Sequence, residues 1–357
     1  THHRDRDRIF EMYPPGSHAV TALLDQLAGQ EATVQAWLDR AIVDLAGAGF
    51  ARLPRVRPRP PAEAFAAAMA ALESLAAGLE VESAAAPSAL AARVMRGLVL
   101  LSDHAASAHE VHATAPVFAS VSAFRSQLGD SWTGFPHQDA ASQVDGHALL
   151  VAPTGSGKTE AALLWAAHQR ESSAGTPGIF YVLPYRASLN AMHARIRDRY
   201  GVPGDAVVLQ HASAIASLYR YLTEQKGYKP DGAERVAKHG ANLARLMTAP
   251  IRVLTPYQLL RGFFGLRGHE AILTDAAGGL FVLDELHAYD VARLGLILAA
   301  VRHLAHDLGA RFFAMSATFP SVLREVLLDV LGDGVAEIRA PPNIEDAFRR
   351  HTLRFIE

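Results

Sequence analysis

Apolar positions follow two regimes along the chain. Up to about residue 115 they recur at three- and four-residue intervals, the spacing that lines one face of a helix. Val34, Trp37, Leu38, Ala41 and Leu45 make one such stripe, and Phe65, Met69, Leu72 and Leu75 another. A third helix is expected from Ser88 to about His104, because Pro87-Ser88 is a helix-start signal. Abundant alanine in this part favours helix and close packing. From about residue 147 the pattern changes to short apolar runs set between helical stretches. These runs are Ala148–Val151, Ile179–Leu183, Val207–Leu209, Ile251–Leu254, Leu280–Leu283 and Phe312–Met315. Short apolar runs without polar alternation suit strands buried on both faces, hence a parallel sheet with helices on either side. The expectation is an α/β domain over 147–340, preceded by an all-α region over 1–115. Between them 116–146, with Pro116, Gly129, Gly134 and Pro136, reads as a connector carrying a short motif. The last stretch, 341–357, follows Ala340-Pro341-Pro342 and reads as a linker or the start of a further domain.

A length of 357 residues fits about two domains, each able to bury its own core. The chain has no cysteine, which excludes disulfides and thiolate metal sites and fits a reducing cytoplasm. No apolar run approaches the roughly 20 residues of a membrane span, so no membrane partner is expected. The start at Thr1-His2-His3 has no apolar signal region and no initiator Met, and reads as a cut or processed beginning. The formal net charge of -2 argues against a globally basic nucleic-acid coat, so any such contact must come from a local track of arginines and amides. The one dense basic cluster, Arg52, Arg55, Arg57 and Arg59 among prolines, reads as a solvated loop.

Candidate chemistry lies in the second regime. Ala152-Pro-Thr-Gly-Ser-Gly-Lys-Thr159 sits between an apolar run and a helix-prone run, the strand–loop–helix setting of a phosphate loop. Thr154, Gly155, Ser156 and Gly157 form the expected cradle, the two glycines allowing conformations that turn several N–H groups toward one anion. Lys158 is placed to reach the β- and γ-phosphates of ATP, and the Thr159 hydroxyl to ligate Mg2+. An alanine, Ala152, stands where this pattern has its first glycine. Asp284 ends the apolar run Leu280–Leu283, where an open parallel sheet places ligands. Asp284 is expected to hold the magnesium, and Glu285 to orient and deprotonate the attacking water. Ser316 and Thr318, also after an apolar run, are candidates for sensing the state of the acidic pair. Gln138 is a candidate reader of the adenine edge. Arg186, in Pro184-Tyr185-Arg186, and Thr255, before Pro256-Tyr257, are candidate nucleic-acid contacts. Arg195, Arg197 and Arg199 further along the helix begun at Arg186 read as a mostly solvated face.

Taken in order, the Gly-Lys-Thr loop, Pro-x-Arg segment, Thr-Pro segment, Asp-Glu-x-His box and Ser-Ala-Thr triplet resemble helicase superfamily 2. A finer resemblance is to the CRISPR-associated helicase–nuclease of type I systems. It is carried by Ala152–Ala162 with its Glu-Ala-Ala extension, by Leu183–Met192, and by Asp284-Glu-Leu-His-Ala-Tyr-Asp290. That family usually has Thr where Tyr185 stands. The resemblance implies a RecA-like P-loop domain over 147–340, ATP and Mg2+ as cofactors, and a motor on single-stranded DNA recruited by a crRNA-guided surveillance complex. It also implies an HD-type nuclease domain whose C-terminal part is 1–115. His2 and His3 then resemble that domain's histidine pair, and Asp103 its late aspartate, holding a transition metal (Mn, Fe, Ni or Co) that activates water against a phosphodiester. The lone histidine and His-Asp pair expected further upstream, and a second RecA-like domain, do not occur in these residues, so the expectation is the middle of a longer protein. Two other readings stay open: another superfamily 2 helicase on RNA or DNA with an unrelated helical N-terminal domain, and a scaffold in which ATP only switches conformation.

Overall fold

The computed structural model describes Glu11 and residues 14–36, 39–40, 59–80, 87–107 and 117–348, excepting Asp130, Ala174, Met247, Thr248 and Arg267. The chain divides into two compact units, Thr1–Arg96 and Gly97–Glu357. In the first, helix α1 (His18–Leu27) starts where the Ser17 hydroxyl accepts the Val20 amide, and it packs on α2 (Pro61–Glu80). The Phe65 and Met69 stripe thus lies on a helix, as its spacing predicts. Helix α3 (Pro87–Ser107) matches the one expected from Pro87-Ser88 and runs across the boundary. His2, His3, Trp37, Leu38, Ala41, Leu45, Arg52, Arg55 and Arg57 lie outside the described residues.

The second unit is built on seven strands, in chain order β1 (Ala148–Val151), β2 (Ile179–Val182), β3 (Val207–Gln210), β4 (Ile251–Leu254), β5 (Leu280–Asp284), β6 (Arg311–Ser316) and β7 (Ala336–Arg339). All pair in parallel, in the order β3-β4-β2-β5-β6-β1-β7. Six of the seven coincide with the apolar runs within a residue or two. The seventh, Ala336-Glu-Ile-Arg339, is an edge strand with only Ile338 buried, so it carries polar alternation and no run. Successive side chains of each strand enter opposite layers. Leu150, Tyr181, Val282 and Phe313 pack with α6 (Lys158–Glu171) and α7 (Arg186–Arg199), while Leu149, Phe180, Phe281 and Phe312 pack with α12 (Val291–His306) and α13 (Ser321–Leu331).

Residues 117–146 are largely packed structure. They contain α4 (Val121–Leu128) and α5 (Pro136–Ala141), both lying on α6. Phe118 and Phe124 are buried with ring centroids 4.6 Å apart, and Phe124 meets Tyr200 at 5.5 Å. Between α7 and α12 come α8 (Ala214–Arg220), α9 (Pro230–Leu246), α10 (Pro256–Phe263) and α11 (His269–Ala276). A final helix, α14 (Pro342–Ala347), follows β7. Among the described residues no helix is long and apolar enough to cross a membrane.

Candidate nucleotide-binding site

Adjacent strands β5, β6 and β1 bring three motifs to one edge of the sheet. Register places Asp284 beside Met315 and Val151 beside Ser316, so the acidic box, the Ser-Ala-Thr triplet and the phosphate loop all leave the carboxyl ends together. A cavity of about 340 Å³ opens there, lined by Gln138, Thr154, Lys158, Asp284 and Glu285 among others.

The loop's shape follows from its glycines. Gly155 (φ 93°) and Gly157 (φ 81°) take left-handed conformations, and Gly157 is the N-cap of α6. Amides of the first turn of α6 therefore face the cavity with the helix's positive end behind them. Ser156 is fully buried and its hydroxyl donates to the Pro153 carbonyl at 2.8 Å, so its side chain shapes the loop and its backbone does the cradling. Two buried side chains from α5 clamp the loop from behind. His137 Nε2 lies 2.9 Å from the Ser156 carbonyl, and Gln138 donates its amide to the Gly157 carbonyl at 3.0 Å. Gln138 Oε1 accepts the Phe135 amide at 2.8 Å. Its carboxamide is thus already engaged with backbone at both ends, holding the loop in place.

Lys158 is nearly buried and donates to the Ala152 carbonyl at 3.1 Å. Burial pulls its ammonium below the ordinary lysine range, opposed by attraction to Asp284 and Glu285. Asp284 shows the converse. Burial, reinforced by repulsion from Glu285 and opposed by Lys158, pushes its carboxyl up to about 6. Its Oδ2 accepts the Tyr181 hydroxyl at 3.3 Å, while Oδ1 is buried without a protein partner. Tyr181 also lies against Thr159. A buried carboxylate oxygen with no donor, beside the Thr159 hydroxyl and a lysine, suits a hydrated divalent cation under a phosphate chain. The residues therefore fit ATP with Mg2+.

Glu285 adopts φ 57°, one of two described non-glycine residues with positive φ. Such strain concentrates at functional sites and here turns the carboxylate out of the strand line. Its Oε2 lies 3.2 Å from His287 Nε2, and His287 Nδ1 lies 3.1 Å from Ser316 Oγ. Ser316 donates to the Thr318 carbonyl at 2.7 Å and accepts the Thr318 amide at 3.3 Å. A continuous polar chain thus joins Glu285 to the triplet.

Arg186 is exposed at the first turn of α7. Thr255 is buried as the N-cap of α10, so the outward side chain of its segment is Tyr257, 43% exposed. Asp103 is exposed on α3; among the described residues no group of three His, Asp or Glu is arranged to hold a metal. The solvated-face reading of the α7 arginines needs correction. Arg195 and Arg199 both reach buried Glu160, at 2.7 and 3.2 Å, because α6 and α7 lie side by side on one face of the sheet. Tyr181 and Glu160 were also missed as site residues. A tyrosine in a doubly buried strand was the available signal, since its hydroxyl needs a partner.

The family model for DEAD/DEAH box helicases matches residues 136–326. Together with the parallel sheet and the loop and acidic box at its edge, this places the chain in the DEAD/DEAH box helicase family, which uses ATP. Within it the helicase region is Cas3-like. It is 34% identical over 238 residues to the CRISPR-associated endonuclease/helicase Cas3 of Thermus thermophilus, covering 58% of this chain and 26% of that protein. It is 30% identical over 215 residues to the CRISPR-associated nuclease/helicase Cas3 of Methanothermobacter thermautotrophicus, covering 58% and 24%. The crystal structure of T. fusca Cas3 superposes with a TM-score of 0.53 at 20% identity, over 78% of this chain and 36% of that one, a likeness of fold. The chain spans about a quarter of the length of the curated relatives it matches.

Proposed function

We propose that this chain is the motor portion of an ATP-dependent single-stranded DNA translocase or helicase, coupled to a metal-dependent nuclease that degrades foreign DNA in type I CRISPR interference. The observation that carries the ATP half is the half-buried Asp284, whose Oδ1 is enclosed and short of a partner, facing Lys158 across the cavity that Glu285 enters. The likeness to Cas3 proteins supports the DNA half and recruitment by a crRNA-guided surveillance complex.

Bound ATP with Mg2+ supplies an electrophilic γ-phosphoryl group and a cation that offsets its charge. Lys158 and the first-turn amides of α6 hold the phosphate chain, and Thr159 and Asp284 hold the cation. Asp284 must be ionised to do so, and the cation supplies the positive charge that offsets its burial beside Glu285. Glu285, released from the strand line, orients a water and takes its proton. The path His287–Ser316–Thr318 ties that carboxylate to the segment after β6, a route by which hydrolysis moves the rest of the motor. Gln138 holds the phosphate loop and reads the adenine edge with its remaining N–H and lone pair. Arg186 and the Thr255 segment, at the carboxyl ends of neighbouring strands β2 and β4, bind the DNA backbone. The nuclease half consists of residues 1–115 as the C-terminal part of an HD-type domain, with His2, His3 and Asp103 as transition-metal ligands.

Two measurements on the full-length natural protein test this. Phosphate release stimulated by single-stranded DNA is expected, and Glu285→Gln should abolish it while ATP binding persists. Release indifferent to DNA would favour a nucleotide-switched scaffold. Cleavage of single-stranded DNA should need Mn2+, Ni2+ or Co2+ and fail in Asp103→Ala; normal cutting by that variant would remove the assigned metal site.

A further inference from the structure

Beside the phosphate loop lies an ion cluster that the hydrolysis chemistry does not use. Glu160 directly follows Thr159 in the first turn of α6, and its side chain is 3% exposed. One oxygen, Oε1, accepts the Arg195 guanidinium at 2.7 Å and the Tyr200 hydroxyl at 2.8 Å, with Arg199 at 3.2 Å. Arg195 also donates from Nε to the Tyr200 hydroxyl at 3.0 Å. The other oxygen, Oε2, is buried without a partner. Burial pushes this carboxyl up, yet Arg195 and the Tyr200 hydroxyl outweigh it and hold it below its ordinary value.

Three donors crowded on one oxygen and none on the other is a costly way to fasten two helices. Apolar side chains of similar size do that as well or better. The arginines, however, are only partly buried, at 33% and 57% exposure, and they line the same cavity as Thr154, Lys158 and Asp284. They therefore stand between two anions, one of them permanent and one arriving with the nucleotide. Guanidinium stays charged in either place. Helix α7, which carries both arginines in its second half, begins at Arg186. At about 1.5 Å per residue, its 14 residues form a rod of roughly 20 Å.

We propose that Glu160 is a positioning residue that couples the nucleotide cavity to the DNA-binding end of α7. With the cavity empty it holds Arg195 and Arg199 against α6. A nucleoside triphosphate draws the guanidinium groups toward itself, Arg199 first because its contact is longer and more exposed, and α7 shifts with them. Arg186 at the far end moves as the helix does. The device has two discrete arrangements, guanidinium on Glu160 or guanidinium on nucleotide, and each ligand biases the same element. This rests on the ATP and Arg186 assignments proposed above.

The test is a linkage measurement. Affinity for a fluorescent oligothymidylate is measured on the full-length protein with and without Mg2+ and a non-hydrolysable ATP analogue. Wild type should show a ratio of about fivefold or more between the two conditions, in the usual range of allosteric coupling. Glu160→Gln and, independently, the half-exposed Arg199→Ala should each bring the ratio below about twofold. A purely structural role would lower melting temperature and shift both affinities alike, leaving the ratio intact, and that result in both variants overturns the proposal. A wild-type protein that binds both ligands with no mutual effect also overturns it while the ATP assignment stands. A wild type that binds no nucleotide defeats the earlier reading itself.

Discussion

Ionised Asp284 is a burden on the folded protein until a cation arrives. Its carboxyl is displaced from 3.8 to about 6, and each pH unit corresponds to about 1.4 kcal/mol. At neutral pH the charge therefore costs about 3 kcal/mol of stability. The sign follows from the direction of displacement. The folded state holds the proton more tightly than the unfolded one, so the cost is absent below the unfolded value near 4. It grows as pH rises and is complete once pH exceeds about 6. Asp284→Asn removes the charge and keeps an oxygen to accept the Tyr181 hydroxyl. In urea titrations without magnesium or nucleotide, the variant should be more stable than wild type by up to about 3 kcal/mol at pH 7.5. The gap should close near pH 4. Comparing the two proteins at each pH cancels the titrating groups remote from Asp284, and equal urea slopes confirm that the same unfolding is compared. Magnesium with an ATP analogue should narrow the gap by stabilising wild type preferentially. A variant no more stable than wild type at pH 7.5, or a gap indifferent to pH, would refute the reasoning.

Two further predictions concern the sheet and the loop. Arg252, buried in β4, pairs with Asp275 at 2.6 Å and stacks over Phe180 at 4.9 Å; Asp275→Ala should cost about 3–5 kcal/mol by removing the carboxylate that offsets a buried positive charge, while replacing both by apolar residues should recover most of it in urea denaturation. At Gly157 a Cβ would overlap the Gln138 amide nitrogen, so Gly157→Ala should weaken ATP binding at least tenfold. Gly146→Ala, also at positive φ but with nothing within 4 Å, should cost only about 1–2 kcal/mol and leave fluorescent-nucleotide titrations unchanged.

The site's main chemistry was legible because each motif is short and local. A Gly-x-Gly-Lys-Thr run between a strand and a helix prescribes its own backbone, and an acidic pair after an apolar run marks a strand's carboxyl end. What stayed hidden was non-local. Nothing in Arg195 or Arg199 announces that Glu160 lies opposite, since the three meet only when α6 and α7 settle on the same face. Gln138 stood out by position, but its grip on the Gly157 carbonyl depends on α5 closing over the loop. β7 was missed because an edge strand with one buried residue lacks the apolar run that marks the other six.

By itself, then, the sequence determined the alternation of buried strands and helices, the phosphate loop, and the order of the motifs. Those depend on periodicity and on residue types whose conformational demands act over a few positions. Only the tertiary structure decided which motifs share a cavity. The order β5-β6-β1 sets Asp284, Ser316 and the loop side by side although they lie far apart in the chain. The charge on Asp284 became costly, and Glu160 became a tie between helices, only through burial and pairing, which packing creates and no local pattern encodes.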